Sequence, residues 1–151
     1  MMNVFRHPPA SAVTRILGEA GLPYSDLSAA RLEHFFGCGS ISAPDGIVGL
    51  ELYESVALLR SLAVISKCRG RGCGTALVAQ AELFARSRGA REIYLLTTAA
   101  ERFFERLRYA RVLREAAPVA IQRTQEFSAL CPSNSAFMVK RLPIKEVRCG
   151  T

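Results

Sequence analysis

The chain has 151 residues, half of them hydrophobic, and a formal net charge of +7. This length predicts one domain with a substantial core. No apolar run is long enough to span a membrane, and the first residues lack the apolar stretch of a secretion signal, so the sequence predicts a cytoplasmic protein without membrane contact. The five cysteines show no zinc-ligand spacing and are predicted to be reduced thiols, without a bound metal.

The excess positive charge lies mainly around positions 67–71 and between positions 86 and 114. A basic stripe is typical of nucleic-acid binders, but no nucleic-acid-binding motif accompanies it here. A polyanionic cofactor with a pyrophosphate and a ribose phosphate accounts for the same charge. A nucleic-acid partner is therefore the less favoured interpretation.

The first third of the chain is predicted to be mainly helical. Apolar residues recur at helical spacing over Ser11–Ala20, which predicts one helix. A second helix is predicted to begin at Asp26 or Ser28 and to run through Phe36. Asn3–Arg6 is a weak candidate for an additional strand.

A β-hairpin is predicted next, from the strands Ile47–Tyr53 and Val56–Ile65. The two-residue loop between them places Glu51 opposite Leu58. Because side chains alternate along a strand, Glu51 and Arg60 then share a face. Two interpretations stay open: an ion pair between these two residues, or a cleft in which they meet a ligand.

A basic glycine-rich loop, Lys67–Gly74, follows the second hairpin strand and precedes a helix predicted to end at Arg88. A strand, a glycine loop and a helix start together present free backbone N–H groups to an anion, and the helix dipole adds positive charge. The loop lacks the lysine of a P-loop and the third glycine of a dinucleotide fingerprint. It therefore predicts a phosphate-binding loop of another kind.

The remaining elements alternate between strands and helices. In chain order, the sequence predicts a strand Arg91–Thr97, a helix Ala99–Leu107, a strand Tyr109–Leu113, a helix Val119–Leu130, a strand Ser135–Leu142 and a loose tail over 143–151.

The spacing Arg69-x-x-Gly72-x-Gly74 resembles the acetyl-CoA pyrophosphate loop of the GNAT superfamily, whose pattern is [RQ]-x-x-G-x-[GA]. The order of elements is also similar, with good motif agreement over positions 47–113. The resemblance implies a single α/β domain over 1–151 with the GNAT fold, a mixed and mostly antiparallel sheet with one splayed strand pair, flanked by helices. Phe35–Gly39, Gly49–Val64 and Pro118–Lys140 further resemble small GNAT proteins associated with arsenic-resistance operons.

The resemblance implies acetyl-CoA as co-substrate. Two departures from the family pattern affect the catalytic residues: Leu58 occupies the usual position of the base, and Phe104 that of a tyrosine that can protonate the leaving thiolate. Glu51, the cross-strand neighbour of Leu58, is therefore the candidate base, and Arg60 the candidate ligand for a substrate carboxylate. The predicted cofactor-binding residues are Leu62, Ala63, Val64, Arg69, Gly70, Arg71, Gly72, Cys73, Gly74, Thr75 and Phe104.

The predicted function is acetyl-CoA-dependent N-acetylation of a small, amino-acid-like amine, in arsenic or toxicant resistance. The alternative is a non-catalytic module on the same scaffold that senses acyl-CoA or arsenicals. A homodimer is compatible with either function.

Overall fold

The computed structural model describes residues 3–130, 132 and 134–143, which form a seven-stranded sheet with helices on both faces. The strand order is β1-β2-β3-β4-β5-β7-β6; β4 and β5 run parallel and the other neighbours antiparallel, which confirms the predicted mixed sheet. The strands are β1 Val4–Arg6, β2 Phe35–Gly39, β3 Pro44–Tyr53, β4 Val56–Val64, β5 Glu92–Thr97, β6 Ala110–Arg111 and β7 Ala136–Arg141. The helices are α1 Ala10–Ala20, α2 Ala29–Leu32, α3 Cys73–Ser87, α4 Glu101–Arg106 and α5 Val119–Gln122.

The hairpin of β3 and β4 has the predicted register. Glu51 faces Leu58, and Tyr53 faces Val56 across the two-residue turn. The register slips once, since Ile47 pairs with Ala63 and Gly49 with Arg60. This β-bulge bends β4, and its residue Ser61 has a φ of +60°.

Two predicted helices differ from the observed structure. The second helix does not reach Phe36: it ends after α2, and Phe35–Gly39 pairs as strand β2 between β1 and β3. The helix predicted over Val119–Leu130 is also interrupted, because the Thr124 hydroxyl accepts the N–H of Phe127 at 3.2 Å and competes with helical bonding. The chain continues as a π-helical turn, Glu126–Leu130.

Strands β4 and β5 separate after three residue pairs, the last of which joins Leu58 and Tyr94. Beyond this point β4 remains paired with β3, and β5 with β7. The facing edges of β4 and β5 therefore open into a gap, as the predicted splayed strand pair requires.

The core lies on both faces of the sheet. On one face α3 and Phe104 pack over the central strands. On the other, α1 packs over the first half of the sheet and Ile121 of α5 over the second half. Within the described residues, no helix has both the length and the apolar character needed to cross a membrane.

Cys38 of β2 and Cys73, the first residue of α3, form a disulfide with a Cα–Cα distance of 6.5 Å. The prediction that these two cysteines are reduced thiols is therefore wrong. The pairing of β2 with β3 and the packing of α3 against both bring the two residues together from 35 positions apart. Cys68 is free, and Cys131 and Cys149 lie outside the described residues.

We expect the disulfide to stabilise the fold. Replacing both cysteines, Cys38→Ala with Cys73→Ala, should cost about 2–4 kcal/mol of unfolding free energy, which lowers Tm by roughly 5–15 °C. Thermal unfolding with and without dithiothreitol checks this: the reductant should lower Tm of the wild type and of Cys68→Ala, but not of the double variant. Equal Tm values for the wild type in both conditions would contradict the assignment.

Candidate functional site

A cleft of about 930 Å³ occupies the gap between β4 and β5. Its walls are Leu59–Val64 on one side and Leu95–Ala100 on the other. The glycine loop lies at one end of the cleft, and Ala20–Pro23 and Glu126 also line it. The size and the largely apolar walls suit an extended ligand with an anionic end.

The glycine loop has the backbone conformation of an anion cradle. Gly70 and Gly72 have φ values of +78° and +88°, and a Cβ at either position would meet nothing within 4 Å. Glycine is thus required there by the left-handed conformation, not by crowding. Both residues are exposed, so an incoming ligand can reach the backbone.

Helix α3 begins directly after this loop. Its first internal bond runs from the Ala76 N–H to the Gly72 carbonyl at 3.0 Å, so the N–H groups of Cys73–Thr75 have no acceptor one turn back. Arg69 donates from Nε to the Val64 carbonyl at 3.1 Å and ties the loop to the end of β4. The free N–H groups, the helix dipole and the nearby guanidinium fit the pyrophosphate of a CoA ester.

Aromatic rings of α4 close the cleft beside the loop. A Cβ on Gly74 would come within 3.3 Å of the Phe103 ring, and Phe103 packs edge-on against Phe104. Phe104 lines the cleft but is itself 4 % exposed. Tyr109 lies behind it in the core and donates to Glu82 at 2.9 Å. Burial, together with the negative charge of Glu82, raises the pKa of Tyr109, so this phenol is a core residue and a poor acid.

In the acetyl transfer that the GNAT resemblance implies, we expect Phe104 to act by packing alone. Phe104→Leu should keep kcat within a few-fold and raise KM for acetyl-CoA, because the CoA thiol, with a pKa about that of cysteine near 8.5, is a tolerable leaving group without an acid. Steady-state kinetics test this, with Tyr109→Phe as control. A collapse of kcat in Phe104→Leu at unchanged acetyl-CoA affinity would assign the ring a chemical role.

Arg60 is at the centre of a buried charge cluster, and its side chain is 1 % exposed. Nε donates to Ser61 Oγ at 3.0 Å, and Nη1 donates to Asp26 and to Glu51 Oε2, the latter at 2.9 Å. Nη2 donates to Asp26 Oδ1 at 2.8 Å and lies 3.2 Å from Glu126 Oε1. Arg60 thus donates four hydrogen bonds, to Ser61, Glu51 and twice to Asp26, and forms an ion pair with Glu126. Of the two interpretations that the sequence left open for Glu51 and Arg60, the ion pair is therefore present.

Two further side chains hold the outer part of this cluster. Arg31 bridges Asp26 and Glu51, with Nη1 at 3.3 and 2.9 Å from their oxygens, and Tyr53 donates its hydroxyl to Glu51. Burial would raise the pKa of Asp26, but the hydrogen bond and charge of Arg60, with the charge of Arg31, outweigh it and lower that pKa. Burial and the bond to Glu51 raise the pKa of Tyr53.

Glu126 reaches the cluster from the π-helical turn. It is 5 % exposed and lines the cleft. Thr124 fixes the start of this turn, since its hydroxyl donates to the Ile121 carbonyl at 2.7 Å and its carbonyl accepts the Ser128 hydroxyl at 2.8 Å. Isolated π-helical turns are frequent at functional sites.

The predicted site residues divide into two groups. Seven of the predicted cofactor-binding residues line the cleft, as does Arg60, whereas Glu51 lies behind Arg60 and does not line it. Sequence reasoning missed Asp26 and Glu126 as members of the charge cluster. Within the described residues, no group of three or more His, Cys, Asp and Glu side chains could hold a metal ion. The lining members of the cofactor set are Leu62, Ala63, Val64, Arg69, Gly70, Gly74 and Phe104.

Known structures resemble this architecture. N-acetylglutamate synthase from Neisseria gonorrhoeae, complexed with coenzyme A and N-acetyl-glutamate, aligns with a TM-score of 0.79 and 18 % identity over 95 % of this chain and 35 % of that chain. The present chain thus spans about a third of that synthase. Rv2747 from Mycobacterium tuberculosis, in complex with CoA and NLQ, gives a TM-score of 0.76 at 18 % identity, over 93 % and 99 % of the two chains. The ribosomal-protein-S18-alanine N-acetyltransferase from Escherichia coli gives 0.69 at 14 % identity, over 100 % of both.

These structural likenesses, all at low sequence identity, establish the fold. No curated protein sequence matches the chain. The model of the acetyltransferase (GNAT) family, however, matches residues 10–109, which is more than half of the sequence. The chain therefore belongs to the GNAT acetyltransferase family.

Proposed function

We propose that this protein is an acetyl-CoA-dependent N-acetyltransferase whose acceptor is the amine of a small molecule. The observation that carries the proposal is the arrangement along one cleft: a glycine loop at the start of α3, the opened gap between β4 and β5, and Glu126 beside Arg60. Such a cleft can hold a thioester and an amine in line, and positioning supplies much of the catalysis in a direct transfer.

The chain offers a place for each part of acetyl-CoA, which supplies the activated acetyl thioester. The N–H groups at the start of α3 and Arg69 would hold the pyrophosphate. The unpaired edge of β4 at Leu62–Val64 has backbone groups that can bond the pantetheine amides, and an N–H there can polarise a carbonyl oxygen. Phe104 would pack against the same ligand.

An acceptor that arrives as an ammonium must lose a proton before its nitrogen can attack, and a carboxylate is the usual agent. Two carboxylates compete for this role. Both form ion pairs with Arg60. Glu51 is the candidate from the sequence, but it does not line the cleft. Glu126 lines the cleft itself. We therefore propose that Glu126 removes this proton, directly or through a water. Glu51 then has the role of positioning Arg60.

The charge cluster also bears on the class of acceptor. Asp26, Glu51 and Glu126 together with Arg31 and Arg60 carry a net charge of −1. Arg60 could bind a substrate carboxylate only by releasing one of its present partners. This favours an amine without a neighbouring carboxylate over the amino-acid-like acceptor that the sequence suggested.

Thiol release from acetyl-CoA with matched pairs of acceptors tests the proposal. The pairs are agmatine and arginine, cadaverine and lysine, and histamine and histidine, which differ by one carboxylate. We expect a higher kcat/KM for the first member of each pair. A preference for the amino acids would restore Arg60 as a carboxylate ligand. Membership of the arsenic-associated subgroup stays a prediction, which arsenic-containing amino acids added to this panel would test.

The second candidate is the non-catalytic acyl-CoA sensor. The observation in its favour is that Leu58 and Phe104 replace the usual base and acid of the family. Tight acetyl-CoA binding in calorimetry, without thiol release for any amine in the panel, would support the sensor and contradict the enzyme.

A further inference from the structure

Ser135 stands at the start of β7 and lines the cleft. Its residue is 7 % exposed, and its hydroxyl is the one buried side-chain nitrogen or oxygen in the described chain without a hydrogen-bond partner. A buried hydroxyl without a partner costs free energy, and folded proteins rarely retain one. Because Ser135 lines the cleft, a bound ligand can supply the hydrogen-bond partner that its hydroxyl lacks.

Both backbone polar groups of Ser135 have hydrogen-bond partners. Its N–H donates to the Pro132 carbonyl at 3.0 Å, and its own carbonyl accepts from Arg114 Nη2 at 3.5 Å. The same Arg114 nitrogen donates to the Pro132 carbonyl at 3.1 Å, and the guanidinium carbon lies 5.2 Å from the centre of the Phe127 ring. The hydroxyl is therefore the one polar group of Ser135 without a partner.

Three other residues with hydroxyl groups line the cleft: Ser61, Thr97 and Thr98. Thr98 is exposed, so water can satisfy its hydroxyl, and the hydroxyl groups of Ser61 and Thr97 are already used. Ser61 accepts from Arg60 Nε at 3.0 Å, and Thr97 accepts from the Ala100 N–H at 3.0 Å. Both bonds serve the local backbone or the charge cluster, so neither hydroxyl needs a ligand to satisfy it. Ser135 differs from them in this respect.

The position of Ser135 separates it from the cofactor loop. The glycine loop follows β4, whereas Ser135 precedes β7, two strands further across the sheet and on the far side of the gap. The lining residues that precede Ser135 in the chain are Glu126, Leu130 and Pro132. This part of the chain therefore carries both the unpaired hydroxyl and the carboxylate that we propose as the base.

We infer that Ser135 is a specificity-determining residue that hydrogen-bonds the acceptor. The inference rests on the proposed N-acetyltransferase function. Glu126 binds the ammonium group and removes its proton. The Ser135 hydroxyl forms a hydrogen bond with a second polar group of the same molecule. Since a hydroxyl both donates and accepts, that group is a neutral hydroxyl or amide or a second amine. The acceptor class is thus a small bifunctional amine rather than a simple alkylamine.

The test compares Ser135→Ala with the control Ser128→Ala, whose hydroxyl is satisfied by the Thr124 carbonyl at 2.8 Å. The acceptors are 4-aminobutanol and butylamine, which differ by one hydroxyl. The wild type and Ser128→Ala should prefer 4-aminobutanol by about 3- to 10-fold in kcat/KM, which corresponds to one hydrogen bond. Ser135→Ala should lose this preference while KM for acetyl-CoA changes less than twofold. Its Tm should be equal or higher, because no bond is lost on replacement.

Each other outcome overturns the inference. An unchanged preference in Ser135→Ala, or a rise in KM for acetyl-CoA alone, would remove Ser135 from the acceptor subsite. A Tm lowered by several degrees, with unchanged kinetics, would show that the hydroxyl has a structural partner.

Calorimetry separates failure of the inference from failure of the proposed function. Each acceptor is titrated into protein saturated with CoA. A preference for 4-aminobutanol that Ser135→Ala abolishes, without turnover, would keep the inference and remove the enzymatic function. The absence of any difference between the wild type and Ser135→Ala in both kinetics and binding would remove the inference.

Discussion

Gly72→Glu is expected to abolish acetyl-CoA binding. Gly72 has a φ of +88° immediately before α3, where the first N–H groups of the helix are free. A glutamate there adds bulk and a negative charge at the place where we put the pyrophosphate. Hydrogen bonds to a charged group are worth about 1.5–3 kcal/mol each, so the loss of two should weaken binding by at least about a hundredfold. Titration calorimetry with acetyl-CoA measures this directly.

The matched control is Gly89→Glu. Gly89 follows α3 at its other end and has a φ of +94°, and a Cβ there, as at Gly72, would meet nothing within 4 Å. Both substitutions therefore carry the same left-handed backbone strain of about 1–2 kcal/mol and the same charge change. Only the variant at the start of the helix should lose acetyl-CoA. Undiminished binding in Gly72→Glu, or equal loss in both, would contradict the assignment of the loop.

The parts of the fold that local rules determine were predictable from the sequence. The two-residue turn fixes the pairing of Tyr53 with Val56, and from it the shared face of Glu51 and Arg60 follows by alternation. The glycine loop was predictable for a similar reason, since its glycines and the helix behind it are adjacent in the chain. Both features depend on residues only a few positions apart.

The error at Phe35–Gly39 has a physical cause. A short apolar run can be a strand or the end of a helix, and its own periodicity does not decide between them. The strand conformation of this segment is determined by β1 and β3, which pair with its two edges. The disulfide between Cys38 and Cys73 escaped prediction for the same reason, because it depends on the packing of α3 over β2 and β3.

The members of the charge cluster could not be predicted from the sequence for a similar reason, because they are far apart in the chain. Arg60 meets Asp26 from the segment before α2 and Glu126 from the π-helical turn, 34 and 66 positions away in the sequence. Neither spacing carries a motif, and both carboxylates lie in segments that sequence patterns describe as helical. The bulge at Ser61 adds to the difficulty, since it shifts the alternation of β4 after Arg60: Leu62 packs with the α3 side of the core and Ala63 with the α1 side.

Glu126→Gln is expected to lower kcat by about 10²–10⁴, the range for a lost general base. Glutamine keeps the shape of the side chain and an oxygen for Arg60 but cannot take a proton from an ammonium. Acetyl-CoA affinity should stay within twofold, because the glycine loop is joined to the end of β4 at Val64, whereas Glu126 contacts Arg60. Steady-state kinetics measure kcat, and titration calorimetry measures the affinity for acetyl-CoA.

The matched variant is Glu51→Gln. Glu51 accepts hydrogen bonds from Tyr53 and Arg60 and forms an ion pair with Arg31, but it does not line the cleft, so its charge serves the cluster. Removing one carboxylate from a buried cation destabilises a fold, although Asp26 and Glu126 remain as partners of Arg60 and limit the cost. We expect Tm to fall by several degrees while kcat stays within a few-fold. The opposite result, a large loss of kcat in Glu51→Gln and a small one in Glu126→Gln, would return the base to Glu51. Equal losses in both would mean that the cluster acts as a unit and that neither carboxylate alone is the base.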